Sequence, residues 1–246
     1  MVAGERAALR RRRARRGGRP GPTVTYLVGL PSIHPPSTER CLTGMADPLR
    51  ERLLLVDNTE RNRGLAASWN LGAQQVLDEG LDWLVILSAA TRFGPKGGED
   101  FVALLDIGDP AETWVIESDA PVNQHLMAWS RPMLEGVGLA DENFHPIYGE
   151  DADFSRRVHV AQDEGWGGTW EKEPVDAWIT MAGHATKLAG VVVDHDRSRA
   201  AYVAKWGGMS GHETFTRPFD DPDLPLSFWP RPPDPRAVNH EGWEIE

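Results

Sequence analysis

Residues 53–87 read LLLVDNTERNRGLAASWNLGAQQVLDEGLDWLVIL, and the spacing of apolar side chains changes twice along them. Leu53 to Val56 is an unbroken apolar run that stops at Asp57-Asn58, the pattern of a strand buried on both faces. Leu65, Trp69, Ala73 and Val76 then recur at helical spacing, and Gly80 supplies a C-terminal stop. Trp83 to Leu87 is a second short apolar run. Strand, helix and strand in this order predict an α/β fold with a mainly parallel central sheet flanked by helices. Ligands of such sheets bind beyond the carboxyl ends of the strands. That rule directs attention to Pro31, Ser32, Asp57, Asn58, Ser88, Ala89 and Ala90.

Working outward, Thr23 to Leu30 is rich in β-branched and aromatic residues and ends at Pro31, as a buried strand would. Downstream, a short helix is expected over Phe101 to Leu105, strands at Trp114 to Ile116 and Leu126 to Ser130, and a helix from Arg131 to Val137. Phe154, Val158 and Ala161 place another helix from about Asp151. Val191 to Val193 reads as a last strand running into Asp194-His195-Asp196, and Tyr202 to Trp206 as a helix stopped by Gly207-Gly208. Trp206 is expected to be a packing anchor. Prolines crowd the segment after Pro218, which predicts an extended tail that wraps the domain or reaches a partner. The expected organisation is a basic tail over 1–22, a catalytic domain over 23–208 and a proline-rich extension over 209–246.

At 246 residues, 40% hydrophobic and 26% charged, the chain has enough material for one sizeable core. No stretch approaches the roughly 18 apolar residues of a membrane span. Cys41 is the single cysteine, which excludes an internal disulfide and a multi-cysteine zinc site and fits a reducing cytosol. The expected location is therefore cytoplasmic. Eight arginines fall in the first twenty residues, followed by Pro20, Gly21 and Pro22. This run lacks the apolar core of a secretory signal. It reads as a disordered, solvated tail, although a basic run can also touch nucleic acid, anionic lipid or an acidic protein. The remainder is more acidic than the net charge of −11 suggests, which makes nucleic acid a poor main ligand for it.

The succession LLLVDNTE, NRGLAASWNLGAQ, DWLVILSAA, VGLADENFHPIYGEDADFSRRV and AAYVAKWGG resembles the order of landmarks in family 2 glycosyltransferases. The resemblance covers about residues 23–208, and its most specific part runs from Val137 to Arg157. It implies a GT-A-like nucleotide-diphospho-sugar transferase fold. The implied reaction is inverting transfer of a hexose or deoxyhexose from a nucleoside diphosphate sugar to a hydroxyl acceptor on a glycan, a protein or a phage target. The arginine- and alanine-rich composition hints at a high-GC actinobacterial or phage origin.

The resemblance assigns donor binding to Pro31, Asp57, Asn62, Arg63, Gly64, Ser88 and Ala90. A carboxylate at a strand end, such as Asp57, can accept paired hydrogen bonds from a base or ribose. Asp57-Asn58 equally suits a turn, and Asn62 equally suits the cap of the helix that follows. The general base implied is Asp151, with Glu150 orienting the acceptor or the base; at a helix N-terminus an aspartate is favoured in its ionised form. Acceptor binding falls to His145, Tyr148 and Asp153, where Asp153 is also a candidate helix cap. His195 matches a late metal-ligand position, with a turn residue as the plainer alternative; His184 has less to recommend it.

One landmark differs. The resemblance implies a divalent cation, manganese or magnesium, held by an Asp-x-Asp motif after the Trp83 to Leu87 strand, but Ser88-Ala89-Ala90 stands there and offers no second carboxylate. Three explanations follow. Arg63, Arg92 or Lys96 stabilises the leaving diphosphate, or the acidic cluster and His195 hold the metal, or the domain binds a nucleotide sugar without turning it over. A nucleotidyltransferase would need a glycine-rich basic loop after the first strand, and Leu30 to Pro36 is not one.

Overall fold

The computed structural model describes residues 24–119, 123–180, 184–231 and 234–237. The basic segment 1–22, the start of the expected first strand at Thr23, and residues 238–246 lie outside the described residues. The strands are β1 (Tyr26–Ser32), β2 (Leu53–Asp57), β3 (Trp83–Leu87), β4 (Thr91–Phe93), β5 (Thr113–Ser118), β6 (Leu126–Ser130), β7 (Thr169–Glu173) and β8 (Ala177–Ile179). The helices are α1 (Pro35–Thr43), α2 (Asp47–Arg50), α3 (Leu65–Glu79), α4 (Gly97–Ile107), α5 (Arg131–Val137), α6 (Glu150–Asp163), α7 (His184–Leu188) and α8 (His195–Trp206).

Six strands form one sheet in the order β2-β1-β3-β6-β5-β7. Strand β1 pairs in parallel with both β2 and β3, and β5 with β7, whereas β6 runs antiparallel to both of its neighbours. The sheet is thus mostly parallel, as the repeated strand–helix alternation requires. A two-stranded antiparallel ribbon, β4 with β8, stands apart from it.

Alternation along β3 explains the layering. Leu84 and Ile86 point to a core shared with Trp69, Ala73 and Val76 of α3 and with residues of α5, α6 and α8. Trp83, Val85 and Leu87 point to the opposite core, with Cys41 of α1, Leu49 of α2 and Phe101 of α4. A strand apolar at every position therefore has helices on both faces, each buried aliphatic or aromatic side chain contributing about 1.5–3 kcal/mol. Trp129 of β6 stacks on Phe154 of α6 with centroids 4.1 Å apart and meets Trp69 edge-on at 5.3 Å. Helix α3 ends at Gly80, whose φ of 67° is the left-handed stop expected of a glycine there.

Three expectations need correction. Val191 to Val193 is not a strand; it is extended chain between α7 and α8, and Val192 is 88% exposed. Three valines carry β propensity, but a strand also needs a neighbouring strand for its backbone groups; among the described residues they pair with none, and the Val191 amide turns back to the Thr186 carbonyl at 3.1 Å. His195 accordingly follows no strand and is the first residue of α8, with Asp194 as the N-cap accepting from the Arg197 amide at 2.9 Å. Asn62 does not cap α3 either, since Gly64 occupies that position; the Asn62 side chain instead accepts from the Gly64 amide at 3.0 Å. The segment after Gly208 folds back on the body: Leu226 is buried in the core under α5 and α6, and Pro230 accepts from the Asn143 side chain at 3.0 Å. Among the described residues, no helix is long and apolar enough to cross a membrane.

Candidate functional site

A cleft of about 260 Å³ opens at the carboxyl ends of β1 and β3, where Pro31 and Ser88 to Ala90 form its floor. Helix α3 contributes Leu65 and Trp69, and α7 contributes Ala185 and Thr186. Opposite them stand Gln124 and His125, which precede β6, and the turn Ile147, Tyr148, Glu150 and Asp151 at the start of α6. A smaller recess of about 50 Å³ adjoins it, shared through Pro31 and Leu65 and extended by Asn58, Asn62 and Gly64. A separate cavity of about 270 Å³ lies between α8 and the C-terminal segment, away from the strand ends. Its buried Asp141 and Lys205 are already paired with each other at 2.8 Å.

The backbone around Tyr148 sets the orientation of the acidic pair. Tyr148 has φ 83° and Gly149 φ 108°, so two consecutive residues take the left-handed region before α6 begins. A tyrosine there is uncommon, and such strain concentrates at functional sites. The turn delivers Glu150 and Asp151 to the cleft in the first turn of α6. Gly149 is required as well as permitted, because a Cβ on it would lie 2.5 Å from Cδ1 of Phe144.

The two carboxyls differ in environment. Asp151 is half-buried and accepts from the Ala152 amide at 2.8 Å. Glu150 is 2% exposed, and its Oε2 has no hydrogen-bond partner among the described residues. Burial, reinforced by the Asp151 charge, pushes the Glu150 carboxyl well above the usual range, against the pull of the Glu150 and Tyr148 backbone groups. In the same cleft, burial lowers the His125 imidazole, with the Asp151 charge opposing it. Its neutral form is the one favoured at neutral pH. The His125 carbonyl accepts from the Ser88 amide at 2.9 Å and the Thr91 hydroxyl at 3.0 Å, which ties this residue to the end of β3.

Of the residues expected from sequence, Pro31, Ser88, Ala90, Tyr148, Glu150 and Asp151 line the cleft, and Asn62 and Gly64 line the recess. Five do not line either. Asp57 is exposed at the tip of β2, and its Oδ1 accepts from the Thr59 amide and hydroxyl at 2.8 and 2.7 Å. Those bonds, the hydroxyl first, hold its carboxyl below the usual range. Arg63 donates through Nε to Asn58 at 3.1 Å and faces a different groove, beside Arg61 and Asn70. His145 braces the recess from behind, its Nε2 being 3.0 Å from the Asn62 carbonyl. His195 is exposed, with its ring 4.7 Å from that of Tyr148.

Asp153 is the clearest correction: it is fully buried and turned inward, neither a cap nor an acceptor ligand. It ion-pairs with Arg157 and Lys205 at 2.8 and 2.7 Å and accepts from the Trp206 indole at 2.8 Å. Arg157 and then Lys205 hold its carboxyl below the usual range despite burial. In the same network Lys205 reaches Asp141. Trp206 is thus the packing anchor its sequence context suggests, with no exposed surface.

Gln124 and His125 are lining residues that sequence reasoning missed, because they precede β6 with no motif around them. The explanation by cationic side chains also loses ground: Arg92 donates to the Ala89 and Thr91 carbonyls at 2.8 and 2.7 Å, and neither it, Arg63 nor Lys96 is among the described residues lining the cleft. The donor set fits a divalent ion poorly. Ser88 to Ala90 offer one hydroxyl, and among the described residues no three histidine, cysteine, aspartate or glutamate side chains stand in a metal-binding group. No protein-family model matches the chain, and no curated protein matches it.

Proposed function

We propose that the protein is a GT-A-type inverting glycosyltransferase that moves a sugar from a nucleoside diphosphate sugar to a hydroxyl acceptor. The observation that carries this reading is the meeting of Asp151, from the motif resembling family 2 glycosyltransferases, with the ends of β1 and β3 in one cleft. Carboxyl ends of parallel strands are where nucleotides bind in α/β sheets, and the recess beside this cleft has Asn58 and Asn62 in its lining. In the proposed step the acceptor oxygen attacks the anomeric carbon, its proton passes to the Asp151 carboxylate, and the nucleoside diphosphate leaves from the opposite side. Tyr148, which is exposed, supplies an aromatic ring for a sugar in the same cleft.

A second reading is favoured by one specific feature. Ser88-Ala89-Ala90 at the end of β3, with no lysine or arginine among the described lining residues, leaves a leaving diphosphate without an evident counter-charge. This suits a domain that binds a nucleotide sugar without turning it over. Release of nucleotide from a panel of UDP-, GDP- and dTDP-sugars, with candidate acceptors and with and without manganese, separates the two. The transferase reading expects Asp151→Asn to lower release by at least about 100-fold while nucleotide binding persists. Binding without release in the unmodified protein, under every condition, would leave the silent module standing.

A further inference from the structure

Glu150 is a carboxyl that the transfer step above does not use. It opens the first turn of α6, only 2% exposed, and lines the cleft beside Asp151. The cleft it lines is largely apolar, with Trp69, Ile86, Leu87 and Ile147 among its lining residues. One of its oxygens, Oε2, is buried without a hydrogen-bond partner among the described residues. A buried polar atom with no partner costs about 1–3 kcal/mol, so its persistence at a cleft wall points to a ligand that completes it.

The charges facing Glu150 decide which form it takes. Asp151 and Asp153 on its own helix both disfavour a carboxylate. Asp153 is neutralised by Arg157 and Lys205 on its far side, so Asp151 is the uncompensated neighbour. The same cleft holds Tyr148, in the turn just before Glu150, and His125, whose charged form burial disfavours. The helix N-terminus favours an anion, but Asp151 stands in the same turn and opposes a second negative charge there. Two adjacent carboxylates at an apolar wall are resolved by keeping the deeper one protonated.

We propose that Glu150 acts as a neutral carboxylic acid, donating a hydrogen bond from its buried carboxyl to an oxygen of the sugar bound beside the Asp151 carboxylate. The pair then presents one donor and one acceptor to a ligand, a match for vicinal hydroxyls or for a hydroxyl next to a ring oxygen. It also confines the cleft to a single negative charge from this turn, which an anionic donor tolerates better than two. The ligand identity rests on the glycosyltransferase reading; the protonation state does not.

The experiment has two arms. The first is infrared difference spectroscopy of the free protein against Glu150→Gln at pH 7, scanning for the C=O band of a protonated carboxyl. The band is expected in the unmodified protein and absent from the variant, and its absence from both overturns the proposal whatever the enzyme does. The second arm measures binding of the nucleotide-sugar panel across pH 5–9. Glu150→Gln keeps a donor of similar shape and should bind within about threefold of the unmodified protein, whereas Glu150→Ala should lose about tenfold or more. Binding by the unmodified protein should weaken as pH rises and Glu150 ionises, and the Gln variant should lack that component. A Gln variant as impaired as the Ala variant overturns the donor role. If no nucleotide sugar binds any form, the glycosyltransferase reading and with it the sugar-donor role fail, while the infrared band still decides whether Glu150 is held neutral.

Discussion

Gly149 shows how much chemistry hangs on one missing Cβ. The chain must turn through two left-handed residues to bring Glu150 and Asp151 to the cleft, and Phe144 fills the space a side chain at 149 would need. Gly149→Ala is expected to cost about 1–3 kcal/mol in chemical denaturation and to weaken ligand binding by displacing the acidic pair. Gly165, which has φ 78° but open space around it, is the control: Gly165→Ala should cost less and leave binding unchanged. The motif around residues 137–157 made Asp151 and Glu150 legible in the sequence, but not their difference. Residue type gave two adjacent acids; only the burial of Glu150, 2% exposed beside a half-buried Asp151, tells the two carboxyls apart. His125 was illegible for a related reason, since its place in the cleft depends on pairing between β6 and β3, which no local pattern records.

Helix α6 does two jobs with its two faces. Its first residues enter the cleft, while Asp153 and Arg157, four apart, turn inward to meet Lys205 of α8 and, through it, Asp141. Four buried charges of zero net sum hold α6, α8 and the loop before the 3-10 turn Glu142–Phe144 in one relation. Removing one partner leaves a buried charge uncompensated, so Lys205→Met should destabilise by about 3–5 kcal/mol in urea denaturation. The pH dependence has a definite sign. Asp153 has a folded-state pKa below its ordinary value, so its contribution is present above about pH 4 and is lost as pH falls through that lowered value. The acid-unfolding midpoint of the unmodified protein should therefore lie below that of the Lys205→Met variant, in which Asp153 has lost one of the cations favouring its charged form. Periodicity revealed α3, β3, β6 and the body of α6 because their burial is repetitive. It missed β7, where Thr169-Trp170-Glu171-Lys172-Glu173 is a polar edge strand, and it invented a strand at Val191 to Val193, where propensity had no partner to pair with.

At the scale of the molecule, the C-terminal segment belongs to the body it follows. Leu226 is 4% exposed and packs into the core on the α3 side of the sheet. Ser227 lies against Gly138, where an added Cβ would come within 2.5 Å of its own, and this close approach fixes the turn after α5. Phe215 accepts from the Arg156 guanidinium at 2.7 Å, and Arg217 ion-pairs with Glu164 at the end of α6. The segment thus touches the middle and the C-terminal end of α6, the helix that carries Asp151 to the cleft, and the C-terminal end of α5. Composition could announce an extended proline-rich tail but not whether it would wrap the domain or leave it; the contacts of Leu226 and Pro230 decide for wrapping. Leu226→Ala, which removes one buried anchor, should lower Tm by roughly 5–15 °C through a loss of about 2–4 kcal/mol. A chain ending at Gly208 should fall further, because it also loses the Arg156, Glu164 and Asn143 partners and uncovers the Val137 and Phe144 region of the core. If thermal unfolding of the shortened chain matched that of the full one, the segment would be a passenger on a domain already complete at residue 208, and α6 would owe its placement to the buried charge network alone.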